Sequence, residues 1–337
     1  MESWRNRKTL ILSRTDMMGL LKPDEYNSCV EHAYRMHGEG RYYMEPKGHI
    51  VLDKYPGEWE VMPSYIEEPE AAACKWVSIR EENRARFDLP TVFSILIYTH
   101  PETGFPLAIC DGSYHTVMRT GAAAAVSAKH LAREDSKALA IVGAGNMAEG
   151  TLATCNEVFP WEDVRVWSRS QATLDEFVHA QQPKYERFEI RASTDLEKVV
   201  RGADVVVTVT PAREPIVEND WISGGAHIAA VGADKEGDQE LDPKILERAR
   251  IFVDDIRQCR TDGEINVPLQ EGAISEDDIV GEIGQVVAGK LKGRTSDGDI
   301  TVFDSTGFAL QDSATVPLEY ERALAAGVGI EKKMIST

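Results

Sequence analysis

The chain has 337 residues, enough for two domains with separate cores, and its 42% hydrophobic and 28% charged content is that of an ordinary globular protein. Acidic residues outnumber basic ones by 56 to 37, for a formal charge of −19. Such a surface repels nucleic-acid phosphates and anionic membranes, which argues against both as partners; a local cationic pocket for a small anionic substrate remains compatible with it.

Residues 24–38 place Tyr26, Cys29, Val30, Ala33 and Tyr34 at helical spacing. Strand-like runs follow at 49–53, 60–62, 72–79, 91–98 and 107–111, punctuated by Tyr55-Pro56-Gly57 and Pro101-Glu102-Thr103-Gly104. Residues 1–115 therefore read as a mostly β (α+β) module. An alanine-rich helix is predicted over 116–133. Beyond it, strands at 137–142, 163–167, 204–209, 226–231, 250–254 and 300–304 alternate with helices near 147–158, 171–181, 195–201, 243–248 and 308–324. That alternation predicts an α/β fold, a Rossmann doubly wound parallel sheet over 116–309, with 310–337 returning to the first module. Residues 277–289 are expected to add one more helix.

The five cysteines (Cys29, Cys74, Cys110, Cys155, Cys259) are odd in number and scattered, with no CxxC pair. The eight histidines form no HExxH cluster, and no run reaches the ~18 apolar residues of a membrane span. A reduced cytoplasmic protein without a catalytic metal is the expectation.

Leu139-Ala-Ile-Val142 delivers Gly143-x-Gly145-x-x-Ala148 to a predicted helix whose first turn holds Asn146 and Met147. This is the strand–turn–helix fingerprint of dinucleotide binding: Gly143 for the turn, Gly145 for close approach of a pyrophosphate, and helix N–H groups for its charge. Thr210, closing the strand at 204–209, is taken as a further cofactor position. The second strand ends in Ser168-Arg169-Ser170, where NAD-type folds place a carboxylate for the ribose 2′-OH. A guanidinium between hydroxyls suits a 2′-phosphate, so NADP(H) is favoured over NAD(H).

Three charged residues stand out as candidate substrate contacts. Lys75 interrupts the apolar run 71–77 and either snorkels at a sheet edge or meets a partner. Arg119 is expected at the head of the alanine-rich helix, holding an anion such as an amino-acid carboxylate or making a surface salt bridge. Asp234 follows the strand at 226–231, where open α/β sheets place ligands, and either exchanges protons with an amine or imine or merely shapes a turn. Asp304-Ser305-Thr306-Gly307 faces the cofactor or caps the last helix.

Several segments together resemble the ornithine cyclodeaminase/μ-crystallin family, and within it the archaeal-type alanine dehydrogenase and imine (ketimine) reductase members. They are Met62-Pro-Ser-Tyr65, Lys75-Trp-Val77, Glu102-Thr-Gly-Phe-Pro-Leu-Ala108, Arg119-Thr-Gly-Ala-Ala123, Gly143-Ala-Gly145, Gly232-Ala-Asp234 with Glu240-Leu-Asp-Pro243, and Phe303-Asp-Ser-Thr-Gly307. The resemblance implies a homodimer, with 1–115 and 310–337 as the substrate and dimerisation domain. It implies that Lys75 and Arg119 bind the substrate carboxylate with help from Lys47, and that Asp234 handles the substrate amine. Thr120 and Ser305 match cofactor-side positions. Glu60 matches a glutamate that recognises a distal amine in cyclodeaminases, or is a solvated strand residue. The implied reaction is NADPH-dependent reduction of a small 2-imino acid or cyclic ketimine, reversible as amino-acid dehydrogenation. Ornithine cyclodeamination with recycled NAD and a crystallin-like binding role are the alternatives.

Overall fold

From Tyr42 to Asp111 the chain turns alternate side chains inward and outward with the two-residue period of half-buried strands. The computed structural model, which describes residues 4–335, folds this stretch into six strands of one eight-stranded sheet, the other two coming from nearer the chain's ends. The strand order is Ile330–Lys332, Thr9–Leu12, Pro106–Asp111, Val92–Thr99, Glu70–Ile79, Tyr55–Glu67 and Tyr42–Met44, with Gly48–Leu52 also paired to Tyr55–Glu67. Every pairing is antiparallel except Thr9–Leu12 with Pro106–Asp111. Helices Pro23–Glu39 and Leu310–Ala326 pack on each other, and the latter also packs on the sheet's central strands. The inner face includes the cross-strand row Met62, Lys75 and Leu96, all buried. On the outer face Trp76 pairs with Ile95, and both are exposed, as are Phe93 and Ile97. This sheet and its helices form one compact unit, comprising residues through Thr116 and those from Phe308 onward.

Val117–Gly307 forms the second unit, around a sheet in which all eight strands are parallel. Its order is Ile190–Ser193, Asp163–Trp167, Ala138–Val142, Val205–Thr208, His227–Ala230, Thr301–Asp304, Arg250–Val253 and Ile279–Glu282. Central strands such as Leu139–Val142 and Val205–Val207 are entirely buried, as a sheet covered on both faces requires. The order reverses between Ala138–Val142 and Val205–Thr208, the switch point at which such sheets bind ligands.

Two expectations are corrected. Residues 277–289 are not one helix: a 3-10 turn, Glu276–Asp278, leads into the strand Ile279–Glu282, and a short helix Ile283–Val287 follows. Gly281 takes φ +153°, and the pairing with Arg250–Val253 shifts register there, so the chain leaves helical geometry. The alanine-rich helix runs Gly112–Leu131, starting earlier than the alanines do, because the Asp111 carboxylate accepts the Tyr114 N–H at 2.9 Å and caps its first turn. All five cysteines are free thiols, and among the described residues no helix is long and apolar enough to cross a membrane.

Candidate active site

In the first unit the decisive residue is Lys75. Strand alternation turns Ala71, Ala73, Lys75 and Val77 to the inner face, so the lysine is carried to full burial instead of snorkelling at an edge. A buried ammonium requires a partner. Asp312, in the first turn of Leu310–Ala326, supplies it: Lys75 Nζ lies 3.2 Å from Oδ1 and 3.1 Å from Oδ2. His115 Nε2 approaches the same Oδ1 at 3.1 Å, and its Nδ1 stands 2.8 Å from Glu319 Oε2. The Tyr26 hydroxyl donates to the other oxygen of Glu319 at 2.8 Å. Burial works to lower the His115 pKa, but Glu319 and Asp312 outweigh it and raise it to about 9. Burial foremost, then Glu319, holds the Tyr26 hydroxyl far above its usual pKa, so it stays a donor.

Lys47 and Glu60 form a second buried pair, Nζ to Oε1 3.6 Å. Glu60 is therefore not a solvated strand residue. His49, Glu58 and Glu60 lie close enough together on the hairpin to share a cation, and the Lys47 ammonium already stands against Glu60.

In the second unit the remaining candidates lie along one rim, at the carboxyl ends of five neighbouring strands. Ser168–Ser170 follows Asp163–Trp167, the glycine loop follows Ala138–Val142, Thr210 follows Val205–Thr208, Asp234 follows His227–Ala230 and Ser305 follows Thr301–Asp304. Gly143 takes φ +126°, and a Cβ there would lie 2.9 Å from Val209 Cγ2, so only glycine fits. Gly145 caps the helix Asn146–Cys155, and a Cβ on it would meet no protein atom within 4 Å. That open space beside an exposed glycine at a ten-residue helix's N-terminus is the cradle a pyrophosphate needs. Met147 is half-buried and Asn146 exposed in the helix's first turn. Gly121 and Gly150 meet where two helices cross, since a Cβ on Gly121 would fall 2.4 Å from the Gly150 backbone.

Arg169 is exposed at the rim. Ser168 Oγ accepts the Ser170 N–H and Ser170 Oγ accepts the Thr173 N–H, each at 3.3 Å, leaving both hydroxyl protons to donate outward. Arg119 is not at the helix head: the early start of Gly112–Leu131 puts it in the second turn, where it is buried. Its guanidinium lies against Gly307, whose Cβ position would be 2.5 Å from Nη1. Thr120 is buried beside it in the chain, and Asp234 is half-buried.

Four buried carboxylates fasten this rim, a device the sequence reading did not foresee. Glu240 accepts the Thr210 N–H (2.8 Å) and hydroxyl (2.7 Å) on one oxygen and the Gly232 N–H (3.2 Å) on the other. Glu264 accepts the N–H groups of Glu240 and Leu241, and Asp304 those of Glu264 and Ile265. Asp254 accepts the Ser305 hydroxyl at 2.8 Å and the Gly307 N–H at 2.9 Å. Asp304 thus neither caps the last helix nor faces outward; it anchors a neighbouring loop. Burial raises the pKa of Glu240 to about 7 and, with Asp254 adding to it, that of Asp304 to about 8. The signal for these groups was weak: acids near apolar strand ends read as turn residues until the loops opposite them are known.

Residues 7–327 match the model of the ornithine cyclodeaminase/mu-crystallin family. An alanine dehydrogenase from Archaeoglobus fulgidus is 39% identical over 326 residues, covering 97% of this chain and 98% of that protein. A solved archaeal alanine dehydrogenase dimer with bound NAD superposes with a TM-score of 0.91 at 39% identity, covering 97% of this chain and all of that one. The Δ1-pyrroline-2-carboxylate reductase of Thermococcus litoralis, solved with NADH and L-proline, also gives 0.91, at 36% identity and 96% and 99% coverage.

Proposed function

We propose, from the premise that the chain belongs to the ornithine cyclodeaminase/mu-crystallin family, that it is a nicotinamide-dependent oxidoreductase reducing a small 2-imino acid or cyclic ketimine at its α-carbon. In the other direction it dehydrogenates the corresponding amino acid. The observation that carries this reading is the fully buried Lys75 ammonium on the inner face of the first unit, a cation held at depth by Asp312 where an alanine-rich strand would otherwise be apolar. Lys75 and Arg119 hold the substrate carboxylate in this reading, with Lys47 assisting, and so fix the orientation of the imine carbon. Asp234 keeps the imine nitrogen protonated and hence electrophilic. When bound, the dihydronicotinamide supplies the hydride.

The glycine loop, Thr120, Thr210 and Ser305 are read as cofactor contacts, with Ser168, Arg169 and Ser170 receiving a 2′-phosphate. NADP(H) is therefore the favoured cofactor, although the similar structures carry NAD or NADH. Replacing Arg169 by Leu is expected to cut the NADPH-over-NADH preference in kcat/KM by roughly 10- to 100-fold, leaving kcat with NADH unchanged. An unaltered preference would remove Arg169 from cofactor selection.

The apolar outer face around Trp76, Phe93, Ile95 and Ile97 supports a homodimer, the state of the similar alanine dehydrogenase. Cyclodeamination fits less well, because Glu60, the residue a distal amine would need, already faces Lys47.

The test is NADPH and NADH oxidation by purified protein against 2-oxo acids with amines, and against preformed cyclic ketimines. Turnover with either class supports the reading. No turnover in that panel, together with proline formed from ornithine at constant NADH, would replace it with cyclodeamination.

A further inference from the structure

Binding a carboxylate at Lys75 raises a difficulty of competition, since Asp312 already touches the ammonium with both oxygens. His115 bears directly on that competition. Its two ring nitrogens face two carboxylates, Asp312 at 3.1 Å and Glu319 at 2.8 Å, and neither ionised carboxylate can donate. A neutral imidazole has only one N–H, so both hydrogen bonds are made only by the imidazolium. The buried set then holds two cations, Lys75 and His115, and two anions, Asp312 and Glu319, and is electrically balanced.

We propose that His115 is a positioning residue: its imidazolium shares Asp312 with Lys75, loosening the carboxylate's hold on the ammonium so that Lys75 can engage a substrate carboxylate. Without that charge the set becomes net negative, Lys75 is drawn more firmly to Asp312, and an incoming anion is opposed. The inference rests on the reading of Lys75 as a carboxylate ligand. It also has a pH signature. The other titratable groups around the set are Tyr26 and Cys29 on helix Pro23–Glu39, Cys74 on strand Glu70–Ile79, Cys110 on strand Pro106–Asp111 and Tyr114 beside His115. Burial raises Tyr26 and all three thiols, Cys29 to about 12, which keeps them neutral while His115 titrates near 9.

The probe is pyrrole-2-carboxylate, a planar, unreactive carboxylate, titrated into cofactor-loaded protein from pH 6.5 to 10, alongside KM and kcat for the best imine substrate. His115→Gln is expected to weaken probe binding and raise the substrate KM about tenfold, with kcat and cofactor affinity changed less than threefold. Glu319→Gln keeps the imidazolium but removes one of its two anions. The alkaline loss of probe affinity should then move down by a unit or more, a shift that a purely structural role would not produce. Lys75→Met separates the two claims. If Lys75→Met weakens the probe but His115→Gln and Glu319→Gln leave affinity and pH profile as in the parent, the His115 inference is wrong and the carboxylate reading stands. If Lys75→Met leaves probe affinity intact, the carboxylate reading itself fails. Should His115→Gln not fold, the Glu319→Gln pH shift decides alone.

Discussion

The two units bury acidic side chains by opposite means. In the first, Asp312 and Glu319 are set against Lys75 and His115, so each sunken charge faces one of opposite sign. In the second, Glu240, Asp254, Glu264 and Asp304 are held by main-chain N–H groups, hydroxyls and a thiol, with no cationic side chain among the partners given above. The first arrangement preserves ionisation at depth; the second pushes it upward, with Asp304 to about 8 and Glu264 well above its ordinary value through burial and its neighbouring carboxylates. A paired charge is dear to break. A clamped acid is cheaper to alter and keeps its proton over a wider range.

The largest effect that would break this contrast is removal of one member of the charge-paired set. Asp312→Ala removes the carboxylate that faces both Lys75 and His115 in the core and should cost about 3–5 kcal/mol in denaturant unfolding, whereas Lys75→Met combined with Asp312→Leu should cost much less. Equal losses for the two would mean that packing, and not charge, dominates there. Next comes pH. The His115 pKa is raised from about 6.5 to about 9, so its contribution to stability is fully present below pH 6.5 and disappears as pH climbs through 9. Asp304, raised from 3.8 to about 8, has the same sign over a lower window, its contribution fading between pH 4 and 8. Melting curves recorded from pH 6.5 to 9.5 should fall for the parent and flatten for His115→Gln above pH 8. The smallest effect belongs to Glu240→Gln, which preserves the acceptor for Thr210 but turns an amide toward the Gly232 N–H. A loss near 1 kcal/mol is expected, with cofactor affinity, read by NADPH fluorescence, reduced a few-fold. A loss as large as that of Asp312→Ala would erase the distinction between clamp and ion pair.

How much could be read from the chain follows the same division. The central parallel strands announce themselves as short, wholly apolar runs, and the Gly143–Ala148 turn carries its own signature. Five strands escape notice: Thr9–Leu12, Tyr42–Met44, Ile190–Ser193, Ile279–Glu282 and Ile330–Lys332. They are three or four residues long, and all but Thr9–Leu12 lie at sheet ends, where burial leaves little pattern. Lys75 is conspicuous because a lysine in an alanine run needs an explanation. Its partners are not, since His115 and Asp312 come from elements 40 and 237 positions away, and only the fold joins them. Asp312 and Glu319 do leave one trace, two acids a heptad apart on the buried side of one helix.

The rim clamps have a consequence for how this sequence can drift. Because Glu264 and Asp304 grip main-chain N–H groups, the identity of the side chains at Leu241 and Ile265 is irrelevant to the hydrogen bond. Neighbouring lineages can vary those positions for packing while the rim keeps its shape, and the carboxylates will show no covarying partner. The one replacement the clamps forbid outright at the gripped positions is proline, which has no N–H to give.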